Sequence, residues 1–289
     1  MAFTFKDFKL SEHAIKPHYL VIGHPISHSL SPLMHQAALN FHGIDANYFA
    51  VDLHTSEISE FISWCNRDEF LGCNITIPYK NAFLEVVDWI DPVSEEMQTI
   101  NTIVKENHSL KGYNTDVYGF LKGLEPYMDE MDLTRAIIFG TGGAARAVKT
   151  ALLETGFEEL IFVSRNASGK ESLFDGNNIK IVNYEQWHAF ADDASLIVNT
   201  TPVGMHPKTS EMPISKSEVN LLNDKICYDL IYNPLETQFL KHAKKAGAVT
   251  LNGLDMLIYQ GSKSFEMWTS KTFPIEQIKK KLNDYFLRH

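Results

Sequence analysis

The stretch Phe139-Gly-Thr-Gly-Gly-Ala-Ala-Arg-Ala-Val148 constrains the fold more than any other part of this chain. It follows a short apolar run, Arg135-Ala-Ile-Ile-Phe139, that reads as a strand. It opens a run that reads as a helix through Leu152, stopped at Gly156. In such a unit Gly140 lets the strand end in a tight turn and Gly142 lets the backbone approach a pyrophosphate. Gly143, Ala144 and Ala145 keep the helix close to the sheet. The free N–H groups and positive dipole at the helix start then hold phosphates. A second strand, Leu160-Ile-Phe-Val163, completes a dinucleotide-binding βαβ unit.

The residues after that second strand select the cofactor. A carboxylate there accepts hydrogen bonds from the ribose of NAD, whereas an arginine accommodates the 2′-phosphate of NADP. The chain reads Val163-Ser164-Arg165-Asn166, with no acidic residue and one guanidinium, which points to NADP(H). By position alone, Arg165 also reads as a solvated surface arginine.

A chain of 289 residues exceeds the usual size of one core, so two domains are expected. The formal net charge of −10 disfavours a nucleic-acid partner, and Lys279-Lys280-Lys281 reads as the polar face of a terminal helix. Cys65, Cys73 and Cys227 form no CxxC pair and read as free thiols of a reducing compartment. The start MAFTFKDFKL has Lys6 and Asp7 where a signal peptide needs an apolar core, and no long apolar run follows. The expectation is a cytoplasmic protein with no membrane contact. No HExxH occurs among the 12 histidines, and His24, His28 and His35 lack a companion cluster, so no metal site is expected.

Along the chain, strands and helices alternate. Tyr19–Ile22, Tyr48–Leu53 and Gly72–Ile77 read as strands, with helices at Pro32–Phe41 and Ile58–Cys65 between them. This βαβαβ order implies a parallel sheet. A hairpin-like stretch covers Ile103–Gly112, and a helix at 117–125 leads into the nucleotide unit. Further strands fall near 180, at 195–199 and at 226–230, and Leu254–Arg288 is helical twice over. The fold class is therefore α/β with two domains. An N-terminal α/β domain has a mostly parallel sheet, a Rossmann-like domain follows, and the C-terminal helices are free to return to the first domain.

Gly23-His-Pro-Ile-Ser-His-Ser29-Leu-Ser31-Pro32 places two serines at a strand-to-helix junction. Ser31-Pro32 reads locally as an N-cap and N1 pair. The same junction offers hydroxyls and free N–H groups to an anion, and a carboxylate suits it. With this motif stand NITIPYK (74–80), INT (100–102), GYNTDVYGF (112–120), the GTGGAARA turn, NTTPVGM (199–205) and GLDMLIYQG (253–261). In this order they make the chain resemble the shikimate dehydrogenase family over nearly its whole length.

That resemblance implies a substrate-binding catalytic domain of residues 1–115 with 253–289, and an NADP-binding domain of residues 116–252. It implies the reversible NADPH-dependent reduction of 3-dehydroshikimate to shikimate in aromatic amino-acid biosynthesis, by a monomer or homodimer. By motif match, Ser29, Ser31, Thr76 and Tyr232 hold the substrate carboxylate, while Asn101, Asp116 and Gln260 bind ring hydroxyls; Asn74 and Thr115 belong to the same substrate site. Lys80 and Asp116 form the catalytic pair. The cofactor falls to Gly140, Gly142, Gly143, Ala144, Ser164, Arg165, Thr200, Thr201, Met205 and Gly253, the last passing close to the nicotinamide.

The roles of the pair also follow from chemistry. Hydride delivery to a ketone builds negative charge on its oxygen, which needs a proton donor and a positive charge, and Lys80 supplies both. Asp116 orients the ammonium and accepts a bond from a neighbouring hydroxyl. Singly, Lys80 reads as a surface ammonium and Asp116 as a helix cap after Thr115. The sequence departs from the family's Asn-Arg-Thr pattern at Ser164-Arg165-Asn166, and Lys170 stands one position later than the pattern's next basic residue. A quinate/shikimate dehydrogenase using NAD would share these motifs, although Ser31, where quinate-active relatives carry threonine, leans toward shikimate. A non-enzymatic NADP(H)-binding sensor would lack Lys80 and Asp116.

Overall fold

The computed structural model describes residues 2–129, 131–166, 174 and 176–288. The chain divides into two compact units, one made of the residues up to Thr115 together with those from Gln260, the other of Asp116–Tyr259.

The first unit opens with strand β1 (Phe3–Thr4) and helix α1 (Phe5–Leu10), then alternates β2 (His18–Gly23), α2 (Ser31–Phe41), β3 (Asn47–Asp52), α3 (Ile58–Trp64) and β4 (Phe70–Ile75). Strand β5 (Trp89–Ile90), helix α4 (Pro92–Glu96) and the hairpin β6 (Thr102–Glu106) and β7 (Ser109–Tyr113) follow. The sheet order is β1-β3-β2-β4-β6-β7-β5. Its pairings are parallel except β4 with β6 and β6 with β7. Every residue of β2 is buried, as a central strand covered on both faces requires. On one face Leu20, Ile22, Val51, Cys73 and Ile75 meet the aromatic cluster of Phe5, Phe8, Phe61 and Trp64 from α1 and α3.

Strand β4 carries an irregularity that matters for the other face. His18 pairs with Phe70, but Tyr19 pairs with Gly72, so Leu71 is an extra residue that shifts the register. Because side chains alternate with period two, one inserted residue sends the following positions to the opposite face. Phe70 thus stays in the aromatic cluster, whereas Asn74 reaches the face carrying Tyr48 and Thr102, to both of which it is hydrogen-bonded.

The second unit begins with helix α5 (Asp116–Leu124), then β8 (Arg135–Phe139), α6 (Gly143–Thr155), β9 (Glu159–Val163), β10 (Ile179–Val182), β11 (Leu196–Asn199), β12 (Ile226–Asp229), α7 (Gln238–Lys245) and β13 (Val249–Leu251). All its strand pairings are parallel, in the order β10-β9-β8-β11-β12-β13. Counted from β8, that is the 3-2-1-4-5-6 arrangement of a doubly wound nucleotide-binding sheet. Ala136, Ile138, Leu160, Phe162, Leu196 and Val198 point to one core, and Ile137, Phe139, Ile161, Val163, Ile197 and Cys227 to another. A sheet buried on both faces leaves no polar alternation, which is why these strands read as short apolar runs. Helix α6 ends at Gly156, in the left-handed conformation with φ of 91°.

The chain re-enters the first unit within α8 (Leu254–Thr269), at Gln260, and ends in α9 (Ile275–Phe286), which packs against α2. Trp268 of α8 stacks on Tyr19 at 4.8 Å and donates to the Ile103 carbonyl. Cys65, Cys73 and Cys227 are buried and unpaired, and burial pushes the Cys227 thiol up to about 12. Among the described residues no helix is long and apolar enough to cross a membrane.

His35 of α2 is 1% exposed, and its ring lies parallel to Tyr48 with centroids 4.4 Å apart. Neither ring nitrogen has a hydrogen-bond partner among the described residues. Burial lowers its pKa to about 3. The unfolded chain therefore binds a proton at the ordinary histidine pKa that the folded chain refuses, and His35 withdraws stability as pH falls from about 6.5 toward about 3, by at most about 1.4 kcal/mol per pH unit. His35→Phe keeps the stack and removes the proton site. Urea unfolding of both proteins between about pH 7 and about pH 4.5 should show the variant gaining on the wild type as pH falls. A stability difference independent of pH would mean that His35 becomes charged in place.

Candidate active site

The strand ends of the first unit gather a polar cluster beneath α8. Asn74, at 5% exposure, donates from Nδ2 to Ser264 Oγ (3.0 Å) and Thr102 Oγ1 (3.1 Å), and its Oδ1 accepts from Tyr48 Oη at 2.7 Å. The Asn74 amide is thus held inside the protein on both its oxygen and its nitrogen. Ser31 lies beside Tyr48, whose phenol burial pushes well above its ordinary range. The helix cap is Leu30, which makes no side-chain capping bond. This corrects the expectation that Ser31 caps α2: Leu30 holds the cap position and Ser31 is the first helical residue. Ser29 stands just outside, half-buried, and its hydroxyl accepts from the Ser31 N–H at 3.3 Å.

Asn101 and Thr115 form a reciprocal pair. Asn101 Nδ2 donates to Thr115 Oγ1 at 3.0 Å, and the Thr115 N–H donates to Asn101 Oδ1 at 2.8 Å. Gln260 Oε1 lies 3.5 Å from Thr115 Oγ1, and Ser264 Oγ donates to the Gln260 carbonyl at 3.2 Å. The Ile100 N–H donates to the Lys80 carbonyl at 2.9 Å, so half-buried Lys80 sits one residue from Asn101 across a backbone bond. Half-buried Thr76 is fixed by its N–H, which donates to the Ile22 carbonyl at 2.9 Å. The first unit therefore brings Ser31, Asn74, Lys80, Asn101, Thr115 and Gln260 into one hydrogen-bonded neighbourhood. Tyr48, Thr102 and Ser264 complete it. The register shift in β4 and the return of α8 bring these separate motifs together.

Asp116, which follows Thr115 directly, opens α5 in the second unit and is 5% exposed. Tyr232 also lies in the second unit, where burial raises its phenol pKa. The nucleotide turn there fits a dinucleotide. Gly140 has φ of 109°, and a Cβ on it would lie 2.5 Å from Thr200 Oγ1. That hydroxyl donates to the Phe139 carbonyl at 2.7 Å and so ties the 199–205 loop to the turn. Gly142 caps α6 without a side-chain bond, and a Cβ there would meet nothing within 4 Å. Gly142, Gly143 and Ala144 thus leave the helix N–H groups open to phosphate.

After β9, the Ser164 hydroxyl donates to the Asn166 carbonyl at 3.1 Å and accepts from the Asn166 N–H at 3.3 Å. It shapes the bend that presents exposed Arg165, whose charge reaches Tyr184. Lys170 falls outside the described residues. Met205 is 43% exposed after β11, and a Cβ on Gly253 would sit 2.0 Å from the Leu230 carbonyl oxygen, so only glycine fits there. Among the described residues no group of three or more His, Cys, Asp or Glu side chains is placed to hold a metal ion.

The geometry has close counterparts among known proteins. Residues 21–103 match the shikimate dehydrogenase substrate binding domain, and residues 253–282 match the shikimate 5′-dehydrogenase C-terminal domain. The shikimate dehydrogenase (NADP+) of Methanococcus maripaludis is 40% identical over 254 residues, 86% of this chain and 90% of its own length. The shikimate 5-dehydrogenase of Thermus thermophilus, solved in complex with NADP(H) and shikimate, superposes with a TM-score of 0.82 at 33% identity, covering 93% of this chain and 99% of its own. The shikimate dehydrogenase of Aquifex aeolicus gives 0.86 at 31% identity over 95% of this chain and 100% of its own. With two family models matched and identity of this level sustained along most of the sequence, the chain belongs to the shikimate dehydrogenase family.

Proposed function

We propose that this protein catalyses the reversible NADPH-dependent reduction of 3-dehydroshikimate to shikimate, in aromatic amino-acid biosynthesis, as a cytoplasmic monomer or homodimer. The observation that carries the reading is the backbone bond of Ile100 to the Lys80 carbonyl beside the Asn101–Thr115 pair, which draws three distant motifs together in a family whose members are named for this reaction.

Residues 1–115 with the C-terminal helices hold the substrate. Ser29 and Ser31 bind its carboxylate with Thr76 and Tyr232, and Asn101, Asp116 and Gln260 bind the ring hydroxyls. Asn74 and Thr115 complete this site. The second domain holds the cofactor. Gly140, Gly142, Gly143 and Ala144 cradle the pyrophosphate, Ser164 and Arg165 face the 2′-phosphate, and Thr200, Thr201, Met205 and Gly253 line the nicotinamide end. NADPH, when bound, supplies the hydride. Lys80 donates the proton to the carbonyl oxygen as its charge develops, and in the reverse direction it receives the proton from the hydroxyl. Asp116 orients the ammonium and holds the adjacent hydroxyl.

The assay is direct: initial rates with NADP or NAD against shikimate or quinate. NADP with shikimate should be the fastest of the pairings, and a folded sample inactive with all of them would end the enzyme reading. Lys80→Ala should lower kcat by about 10² to 10⁴-fold, as expected for loss of a general acid, with a much smaller change in shikimate affinity. Near-normal kcat with a raised KM would move Lys80 from catalysis to binding.

Arg165→Ala should lower the ratio of kcat/KM for NADP over NAD by about tenfold. That is the low end for a charge-assisted bond, because the guanidinium is exposed and partly screened. An unchanged ratio would show that Arg165 faces solvent with the cofactor bound.

A further inference from the structure

At the carboxyl ends of β11 and β12, two fully buried polar residues face one another. Asn199 ends β11, Asp229 ends β12, and the two are register partners, each with 0% exposure. Asn199 Nδ2 donates to Asp229 Oδ1 at 3.0 Å and to the Val203 carbonyl at 3.3 Å. Its Oδ1 accepts from the Thr201 N–H at 3.1 Å and from Thr201 Oγ1 at 2.7 Å. The Asp229 carboxyl does the same for the next loop. Oδ1 accepts from the Ile231 N–H at 3.2 Å, and Oδ2 accepts from Thr237 Oγ1 at 2.6 Å. Thr237 in turn caps α7, accepting from the Leu240 N–H at 3.3 Å.

The bonds pass outward from this pair to the segments assigned to the cofactor. The Ile231 carbonyl accepts from the Gly253 N–H at 3.0 Å, where glycine is already forced against Leu230. The His206 N–H donates to the Asn233 carbonyl at 3.2 Å and closes the 199–206 loop on the 230–237 loop. Thr200 continues the chain to the Phe139 carbonyl beside the nucleotide turn. Burying a carboxyl here is costly. Desolvation pushes the Asp229 pKa up to about 7 even though Thr237, Ile231 and Asn199 pull it back. An apolar residue would avoid that cost but leave three donors without an acceptor.

We propose that Asn199 and Asp229 form a buried latch that sets the 199–206 and 230–237 loops and the Gly253 approach, making Asp229 a positioning residue for the nicotinamide end of the cofactor. This rests on the cofactor site assigned above. Asp229 touches neither substrate nor cofactor and acts through Thr201, Met205 and Gly253. Shape and hydrogen-bonding capacity are what the latch requires, so an amide replaces the carboxyl. In Asp229→Asn, Oδ1 still accepts from Asn199 and Ile231, and the amide nitrogen donates to Thr237 Oγ1.

The test uses the full chain, with NADPH affinity from fluorescence titration, shikimate affinity from calorimetry, and steady-state kcat and KM. Asp229→Ala should weaken NADPH binding by about tenfold or more and lower kcat, with shikimate affinity within about twofold of wild type. Asp229→Asn should restore NADPH affinity to within about threefold, a rescue that separates positioning by hydrogen bonds from a need for charge. Where Asp229→Ala does not fold, Thr237→Val removes one arm of the latch and should raise the NADPH Kd by about threefold. Unchanged NADPH affinity in folded Asp229→Ala, or in Thr237→Val, overturns the latch while wild-type binding keeps the cofactor site intact. Equal damage from Asn and Ala overturns it as well. A wild type that binds no NADPH overturns the cofactor reading and the latch together.

Discussion

A parallel sheet covered on both faces buries its interior in apolar side chains and leaves polar groups a place only where strands stop. That constraint organises both units. In the second, the alternate residues of β8, β9 and β11 supply two separate cores, and the polar side chains appear at the strand ends: Asn199, Asp229 and the turn after Phe139. In the first, β2 is buried throughout, and the chemistry-bearing residues collect after Gly23, at the end of β4 and around Asn101. The fold thus gives each unit one polar edge at which backbone turns and side-chain donors converge.

How much of the fold is legible in the sequence follows from how local each signal is. The nucleotide turn is legible because glycine chemistry, an apolar strand and a helix stop all lie within about two dozen residues, a span over which sequence order is also spatial order. The central strands of the second unit, β8, β9 and β11, are legible as apolar runs because nothing polar interrupts their interiors. Some elements without a clear sequence signal have little burial to record. β1 is two residues long, β13 three, and α7 turns only Phe239, Leu240 and Ala243 inward from a helix otherwise rich in lysine and histidine. The local reading of Ser31 as a cap fails for a different reason. Ser-Pro at a helix start satisfies local capping preferences, but the helix begins one residue earlier, after Leu30, so Ser31 already lies in its first turn.

The site shows the same division. Motif positions such as Asn101, Thr115 and Gln260 stand out in the chain alone, whereas their supports Tyr48, Thr102 and Ser264 depend on contacts between residues far apart in sequence. Asn74 makes the point most sharply. Its position in the motif says nothing of orientation, and the extra residue at Leu71 decides that its amide faces Tyr48 and Ser264 rather than the aromatic core. Buried polar groups satisfied this fully rigidify what they touch, while His35, with no partner for either ring nitrogen among the described residues, shows that packing can hold a polar ring in the same region at a cost in stability.

Cofactor choice is governed by what stands near the second strand of the nucleotide unit and by what is missing there. Ser164 makes two hydrogen bonds to Asn166 and so shapes the bend that presents Arg165. Between Val163 and Asn166 there is no carboxylate to hold the ribose of NAD and none to repel a 2′-phosphate. If Arg165 attracts the 2′-phosphate as proposed and Ser164, Arg165 and Asn166 add no repulsive contact, the selectivity they give is graded rather than absolute, because rejection requires an unfavourable contact as well as a favourable one. On the proposed reading, the preference of this chain for NADP is therefore an electrostatic bias set on a rigid turn, while the geometry of catalysis is held elsewhere, by the hydrogen bonds that fix the strand ends.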